Sequence, residues 1–271
     1  MSDLMQRQSN NSNPVFTDEE CMALYLFGLL QKKADMKAIY EYIKEDFAQW
    51  FPKLPSYQAF NKRICKLKDA FCAVADWFLH FAYIDENVLS CILDSMPIIV
   101  AHEKRMGRAK VAKGLCDIGY CASKDEYYYG VKLHLFSQMR YKTLPQPLCF
   151  SITPASKNDL LVGKAMLWNV RNAQIYADKA YIDCCWQTFL KKNNNTVFYI
   201  PVKRKKGQKK LSYFEKLYSN AVSSVRQPIE SFFNWIQVKT GIHAASKVRS
   251  TDGLLAFIFA RIAVVAFLLY S

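Results

Sequence analysis

Apolar positions recur at two different spacings along the chain, and the spacing changes near residue 84. Before that point, apolar residues return every three to four positions, which is the period of an amphipathic α-helix. After it, short apolar runs and alternating segments predominate, and these are typical of β-strands. The pattern therefore predicts a helical N-terminal part, residues 15–83, followed by a part that contains a sheet, residues 84–271.

The N-terminal part should form three or four short helices. Thr17 opens the sequence TDEE, in which Glu20 can complete a capping box, and Ser56 can cap a later helix. Small helical domains of this kind often place one helix in a DNA groove. An ordinary helical subdomain with a solvated face is an equally good interpretation. The basic residues expected at its surface are Lys32, Lys33, Lys37, Lys62, Arg63, Lys66 and Lys68. The polar residues 1–14 should form a disordered leader.

The pattern in the second part predicts five strands and several helices. Strands are expected at VLSCILD, which should end near Asp94 with Pro97 interrupting the run, and at EYYYGVKLHLFS, PLCFSITPAS, NAQIYADK and TVFYIPV. Helices are expected at DLLVGKAMLW, at YIDCCWQTFLKK and within residues 213–240 and 251–270. Three strands in a row, followed by alternating helix and strand, predict a mixed α/β sheet covered by helices.

The last of these helices is apolar enough to suggest a membrane span. Residues 254–270 are almost wholly apolar, but the segment is short for a span and Arg261 lies at its middle, where a charge is costly in lipid. A buried C-terminal helix with Arg261 paired inside the protein is the better interpretation. We therefore expect no membrane partner.

Composition indicates a polyanionic partner. The chain has 37 Lys and Arg against 23 Asp and Glu, which gives a formal net charge of +14. This surplus is typical of proteins that bind nucleic acid or an anionic membrane. The nine cysteines do not have the spacing of a metal finger, and the N-terminus has no apolar signal core. Reduced, mostly buried thiols in a cytoplasmic protein are the simplest interpretation.

Three acidic residues stand where predicted elements end or begin. Asp94 and Asp178 follow apolar runs that should be buried strands, and Glu230 lies in an apolar segment of helical period. Together they would form an all-oxygen pocket for hard divalent cations, and such a pocket can cut and join phosphodiesters. Each residue also has an ordinary structural alternative: a turn former at Asp94, a helix cap at Asp178, and a solvated i,i+4 pair of Glu230 with Arg226.

Two basic runs could surround such a pocket, since carboxylates repel a phosphate backbone and a basic rim offsets this. The first covers residues 102–113 and the second, KRKKGQKK, covers residues 203–210. A pair of solvated loops is the alternative. The residues expected to contact DNA are Lys104, Arg105, Arg108, Lys110, Lys203, Arg204, Lys205, Lys206, Arg226 and Lys239.

With these residues in view, the chain resembles the DDE transposases of bacterial insertion sequences, and it is most similar to the insertion-sequence-982 branch. The resemblance runs from about Phe16 to the C-terminus. The blocks that carry it are LPSYQAFNKR, LDSMPI, CASKDEYYYGVKLHL, SITPASKNDL, ADKAY and RQPIESFFNW. The resemblance departs at one place: related families carry a Y-x2-R-x3-E-x6-K signature, and here Ser223 and Gln237 replace the tyrosine and the lysine.

The resemblance implies a helical DNA-binding domain at 15–83 and a ribonuclease-H-like catalytic domain at 84–271. It implies Asp94, Asp178 and Glu230 as the catalytic triad, which would hold two Mg2+ ions, with Mn2+ able to substitute. The implied partners are double-stranded DNA, as terminal inverted repeats and as target, and further copies of the chain in a dimer or a larger synaptic complex. Two other functions stay open: a structure-specific nuclease on the same fold, and a catalytically silent DNA-binding protein derived from a transposase.

Overall fold

A computed structural model describes residues 15–33, 35–80, 89–121 and 125–270 of the chain. The expected leader, 1–14, and the expected domain boundary near residue 84 lie outside the described residues. The helices of the N-terminal part are α1 (Asp18–Leu30), α2 (Met36–Asp46), α3 (Tyr57–Lys66) and α4 (Lys68–His80). The four helices of the described residues agree with the three or four that the periodicity predicts.

Local capping explains where these helices begin. Thr17 and Glu20 form both hydrogen bonds of the predicted capping box, and the Ser56 side chain accepts from the backbone N–H of Ala59 at the start of α3. Arg63 differs from expectation, because it is buried rather than exposed. It forms an ion pair with Asp18 and donates to the carbonyl of Phe16, so it ties α3 to the start of α1.

The second part forms one six-stranded sheet, and helices pack on both of its faces. The strands are β1 (Leu89–His102), β2 (Asp117–Cys121), β3 (Glu126–Gln138), β4 (Gln146–Pro154), β5 (Ala173–Ala177) and β6 (Val197–Tyr199). Between and after them come α5 (Glu103–Met106), α6 (Asp159–Met166), a 3-10 turn (Lys179–Tyr181), α7 (Cys184–Asn194), α8 (Tyr213–Thr240) and α9 (Thr251–Tyr270).

Strand pairing gives the sheet its mixed character. The strand order is β2-β3-β1-β5-β6, and β4 pairs with β3. β3 is antiparallel to β1, β2 and β4, whereas β5 is parallel to β1 and β6 is parallel to β5. Antiparallel strands that are followed by two parallel ones with intervening helices form the mixed α/β sheet that the sequence pattern predicts, in the ribonuclease-H-like arrangement that the resemblance implies.

Two features of the sheet differ from the sequence prediction. β1 does not end near Asp94 but continues through Pro97 to His102. β5 pairs with β1 only from Leu89 to Leu93, so Pro97 lies in a stretch of β1 where its missing N–H deprives no β5 partner of a hydrogen bond. The second difference is β2, a five-residue strand at the sheet edge that the pattern did not predict.

The two faces of the sheet bury different apolar clusters. Side chains alternate along β1, so Ile92 and Met96 face α8 and α9, whereas Cys91 and Leu93 face α6 and α7. Asp94 shares the parity of Ile92 and Met96, and it therefore points toward α8.

The apolar helix α9 lies inside the protein for much of its length. It is long and apolar enough to cross a membrane by length and composition alone, but 56% of its most apolar window is buried against the rest of the chain. Arg261 is 1% exposed and donates to the carbonyl of Thr240 and to the hydroxyl of Tyr25. These contacts confirm the predicted buried helix with a paired arginine.

Candidate active site

The two aspartates lie on neighbouring strands at the same level of the sheet. β5 pairs in parallel with β1 so that Ala177 lies opposite Leu93. The next residues along the two chains are Asp178 and Asp94, whose backbones are therefore about 5 Å apart, the usual strand separation. β5 ends here and β1 continues, which leaves both carboxylates at the carboxyl edge of β5.

The guanidinium of Arg226 lies between the two carboxylates. Its Nη2 is 2.8 Å from Oδ2 of Asp94, and its Nη1 is 3.9 Å from Oδ1 of Asp178. Arg226 comes from α8, whose later residues Ile229 and Phe232 are buried against the sheet. The apolar face of α8 thus anchors the helix and brings Arg226 to the sheet edge.

Asp94 is in an unusual electrostatic environment. Burial raises the pKa of its carboxyl to about 6, and the nearby charge of Asp178 adds to this effect. The charge of Arg226 and the backbone N–H of Ser95, which donates to Oδ1 at 2.8 Å, act in the opposite direction. The site therefore holds two like charges close together with one arginine between them. Such a site attracts a further cation.

Asp178 also has the structural role of a helix cap, which the sequence offers as its alternative. Its side chain accepts from the backbone N–H of Lys179 and so caps the 3-10 turn that follows β5. The carboxylate is about half exposed, with a side-chain exposure of 51%, and so retains a solvent-facing side. Capping and cation binding are therefore compatible at this residue.

Glu230 is not brought into contact with the two aspartates. It lies one helical turn after Arg226 on α8 and is exposed. Within the described ranges no three His, Cys, Asp or Glu side chains are grouped closely enough to hold a metal ion. Nor does Glu230 form the i,i+4 ion pair with Arg226, because both ion pairs of Arg226 go to the aspartates. Helix geometry places Glu230 about 40° around and about 6 Å along α8 from Arg226.

The chemistry of the donors fits a hard divalent cation in part. Two carboxylates converge on one positive group, and the guanidinium of Arg226 stands in for the cation. Oxygen donors of this kind suit Mg2+ and Mn2+. Glu230, exposed and one turn away, is the nearest further carboxylate along α8. The residues thus offer two ligands directly, and Glu230 does not join them in this arrangement.

The two basic runs lie at different distances from this site. The run 203–210 joins β6 to α8, and Tyr199 of β6 lies opposite Tyr176 of β5, so this run begins at the same sheet edge as the aspartates. The run 102–113 instead begins after β1 has continued eight residues past Asp94, about 26 Å along the strand. The sequence predicts that both runs flank the acidic pocket, and only the run 203–210 begins beside it.

The other residues expected to contact DNA are placed as follows. Lys104, Arg105, Arg108 and Lys110 are exposed in and after α5, and Lys203, Arg204, Lys205 and Lys206 are exposed in the loop before α8. Lys239 is half-buried in the last turn of α8, about 20 Å along the helix from Arg226. Arg226 contacts the aspartates, not Glu230. Contact of any of these residues with DNA stays a prediction.

Tyr181 is a residue of the site that the sequence pattern did not single out. Its side chain is 1% exposed, and burial raises its pKa well above 10, with Asp94 the first of three aspartates that add to the shift. Its ring packs against Gly163 and therefore supports the sheet behind Asp94. The sequence signal that could have found Tyr181 is the block ADKAY, in which this tyrosine stands three residues after Asp178.

The cysteines agree with the structural role expected of them, and His134 is likewise a buried structural residue. His134 is fully buried on β3, its Nε2 lies 2.8 Å from Oγ1 of Thr153, and burial lowers its pKa to about 4. Within the described residues the nine cysteines form no disulfide bond, and Cys184 and Cys185 are the exposed ones.

Comparisons with known proteins point to one family. The family model described as a transposase DDE domain matches residues 86–247. Among solved structures the chain is similar to the Drosophila P element transposase strand transfer complex, with 13% identity and a TM-score of 0.29. That match covers 71% of this chain and 43% of the other chain, so the chain spans less than half the length of that protein. No curated protein matches the chain.

Proposed function

Because the chain belongs to the family of transposase DDE domains, we propose that it binds the terminal inverted repeats of an insertion sequence and cuts and joins DNA there. The observation that best supports this proposal is the pair of aspartates on Arg226 beside an exposed basic loop. The carboxylates suit cations that act on phosphodiesters, and the loop suits the phosphates. The insertion-sequence-982 branch, which the sequence blocks favour, is part of the proposal.

Asp94, Asp178 and Glu230 are the proposed metal ligands. Two Mg2+ ions, or Mn2+ in their place, would supply activation of the attacking oxygen and stabilisation of the leaving oxygen. Asp94 must lose its proton to serve as a ligand, so its pKa of about 6 keeps it mostly ionised at neutral pH. Arg226 holds the two aspartates in register and is close enough to the site to bind a phosphate of the substrate when it leaves them.

The remaining parts of the chain have proposed roles in recognition and assembly. Residues 15–83 recognise the sequence of the element's ends, and residues 84–271 bind DNA with little sequence preference. Two ends must be handled together, so we propose a homodimer or a larger synaptic complex that acts on double-stranded DNA in the cytoplasm.

Three isosteric substitutions test the catalytic assignment. Asp94→Asn, Asp178→Asn and Glu230→Gln keep the shape of each side chain but remove a negative charge, so each should reduce cleavage at least 100-fold while leaving duplex binding within about threefold. Strand cleavage and binding are measured on duplexes that carry the element's own ends, with Mg2+ present.

Asp117→Asn is the matched control, because Asp117 is an exposed aspartate on the edge strand β2, where it accepts from the hydroxyl of Ser156. It should cleave like the unsubstituted protein. Near-normal cleavage by Glu230→Gln would remove Glu230 from the catalytic set.

A catalytically silent DNA-binding protein is the second candidate, and the exposed position of Glu230 favours it. Such a protein would bind terminal repeats but cut them in neither Mg2+ nor Mn2+. The cleavage assay on the unsubstituted chain therefore decides between the two candidates.

A further inference from the structure

The first half of α8 exposes a stripe of large apolar side chains. Tyr213, Phe214, Leu217 and Tyr218 are 75%, 78%, 55% and 42% exposed. Phe214, Leu217 and Tyr218 are three and four residues apart and therefore share one face of the helix. Buried side chains of the second half, such as Ile229, pack α8 on the sheet, so this stripe is not needed for packing within the described part of the chain.

The basic loop 203–210 is fastened to this same half of α8. The backbone N–H of Val202 donates to the hydroxyl of Ser219, and the side-chain amide of Gln208 contacts the carboxylate of Glu215 at 3.4 Å. Gly207 has a φ of +85°, which lets the loop turn tightly between these two anchors. The loop is thus held beside the apolar stripe.

The charge beside the stripe is strongly positive. Residues 203–221 contain seven Lys and Arg and a single acid, Glu215, which gives a net charge of +6. Glu215 is engaged in the capping box at the start of α8, where it accepts from the backbone N–H of Ser212. None of the six basic side chains of the loop forms an ion pair with a carboxylate of the described residues.

We propose that this surface binds unpaired DNA bases, which stack on Phe214 and its aromatic neighbours while the loop contacts their phosphates. Exposed aromatic rings beside a positive groove are the combination that binds single-stranded nucleic acid without sequence preference. A second copy of the chain is the weaker occupant, because an isologous contact would bring two surfaces of net charge +6 together.

The stripe is close to the site of cleavage. Arg226 follows Tyr218 on α8 by about 12 Å, and Tyr218 is near enough to Tyr176 at the end of β5 to contribute to the raised pKa of that residue, after burial and Tyr199. The proposal rests on the proposed function and adds a substrate class to it: DNA with a frayed or single-stranded segment next to the cut.

The test measures the affinity of the full chain for a 15-nucleotide single strand and for the duplex of the same sequence. Phe214→Ala should weaken single-strand binding about tenfold, which is the usual effect of one stacked base, and leave duplex binding within about twofold. The single strand carries 2-aminopurine, whose fluorescence is quenched on stacking, and Phe214→Ala should lose that quenching while Phe214→Tyr retains it.

Trp168→Ala is the control, because Trp168 is 67% exposed on another part of the surface. It should change neither affinity nor quenching. Unchanged single-strand binding by Phe214→Ala overturns the proposal, as does a loss of self-association, measured by light scattering, without a loss of quenching. If the unsubstituted chain binds and cleaves duplex ends while Phe214→Ala behaves normally, only the stacking proposal fails; if the unsubstituted chain binds no duplex, the proposed function fails.

Discussion

Asp94 gives the candidate site a pH dependence whose sign can be worked out. Its pKa is about 6 in the folded chain, against 3.8 for an ordinary aspartate, because burial disfavours the charged form. The folded chain therefore binds this proton more tightly than the unfolded chain does. The resulting stabilisation is fully present below about pH 4 and is lost as the pH rises through about 6.

Without divalent cations, the free energy of unfolding of the unsubstituted chain should therefore fall relative to that of Asp94→Asn by roughly 2–3 kcal/mol between pH 4 and pH 7. Urea unfolding at the two pH values measures this difference. Asp117→Asn should show almost no such change over this range, because the hydroxyl of Ser156 lowers the pKa of Asp117 and this carboxyl therefore titrates below pH 4. Parallel pH curves for the unsubstituted chain and Asp94→Asn would contradict the environment described for Asp94.

Gly163 tests the packing of Tyr181 behind the site. A Cβ at position 163 would lie 2.9 Å from Cδ1 of Tyr181 and 3.1 Å from Cδ2 of Leu93, so one of these buried side chains would have to move. Gly163→Ala should therefore reduce the free energy of unfolding by about 1–3 kcal/mol. Gly114→Ala is the matched control, since a Cβ there meets nothing within 4 Å. Equal stability of the two variants in urea would show that the space around Gly163 is less restricted.

At the scale of elements, the sequence predicts most helices and strands because their signals are local. The capping residues Thr17 and Ser56 and the alternation along β3 can each be read within a few positions. β2 has no such signal, since its five residues are held by pairing with β3. The continuation of β1 past Pro97 depends on pairing with β3, in which Pro97 lies opposite Lys132 and His102 opposite Tyr128.

The candidate site also has parts that local sequence signals predict and parts that they do not. The position of Asp178 directly after an apolar strand could be predicted, because the strand and the turn are adjacent in sequence. The contact of Arg226 with Asp94 joins residues 132 positions apart, and only the packing of α8 on the sheet reveals it. The exposure of Glu230 likewise depends on the rotation of α8, which no local pattern specifies.

The basic loop before α8 should contribute to the salt dependence of DNA binding. Lys205 and Lys206 are exposed, and the loop is ordered by hydrogen bonds between Lys205 and Gln208. If both lysines bind phosphates, replacing them with Ala should weaken binding to all duplexes alike and reduce the slope of log affinity against log salt by about one to two units.

Binding of a terminal-repeat duplex and a random duplex over a range of salt concentrations measures both quantities. An unchanged slope would mean that the loop does not contact DNA. A loss confined to the terminal repeat would mean that it reads bases instead.

At the scale of the whole molecule, α9 connects the two parts of the chain. Ala256, Ala260 and Val264 belong to the apolar cluster of the N-terminal helices, whereas Ile258 and Ile262 belong to the cluster beneath the sheet. Opposite sides of one helix thus complete two cores. A fragment that ends before α9 would expose the first cluster, so the proposed division of labour in DNA binding is best tested with substitutions in the full chain.

Arg261 on α9 forms polar contacts with both parts of the chain. Its guanidinium lies 3.4 Å from the centre of the Phe257 ring, and it donates to Thr240 on α8 and to Tyr25 on α1. Arg261→Ala removes these bonds and leaves a cavity, so it should lower the free energy of unfolding by about 3 kcal/mol or more. Because α9 completes both cores, the loss should occur in one cooperative transition, with circular dichroism and tryptophan fluorescence giving the same midpoint.

Tyr25→Phe and Arg261→Met separate the contributions to this effect. Tyr25→Phe removes a single acceptor and should cost about 1 kcal/mol. Arg261→Met fills most of the volume but donates no hydrogen bond, so a stability close to that of Arg261→Ala would assign the effect to the bonds, and a stability close to that of the unsubstituted chain would assign it to packing. Two separate transitions in Arg261→Ala, one for the N-terminal helices and one for the sheet, would contradict the coupling of the two cores through α9.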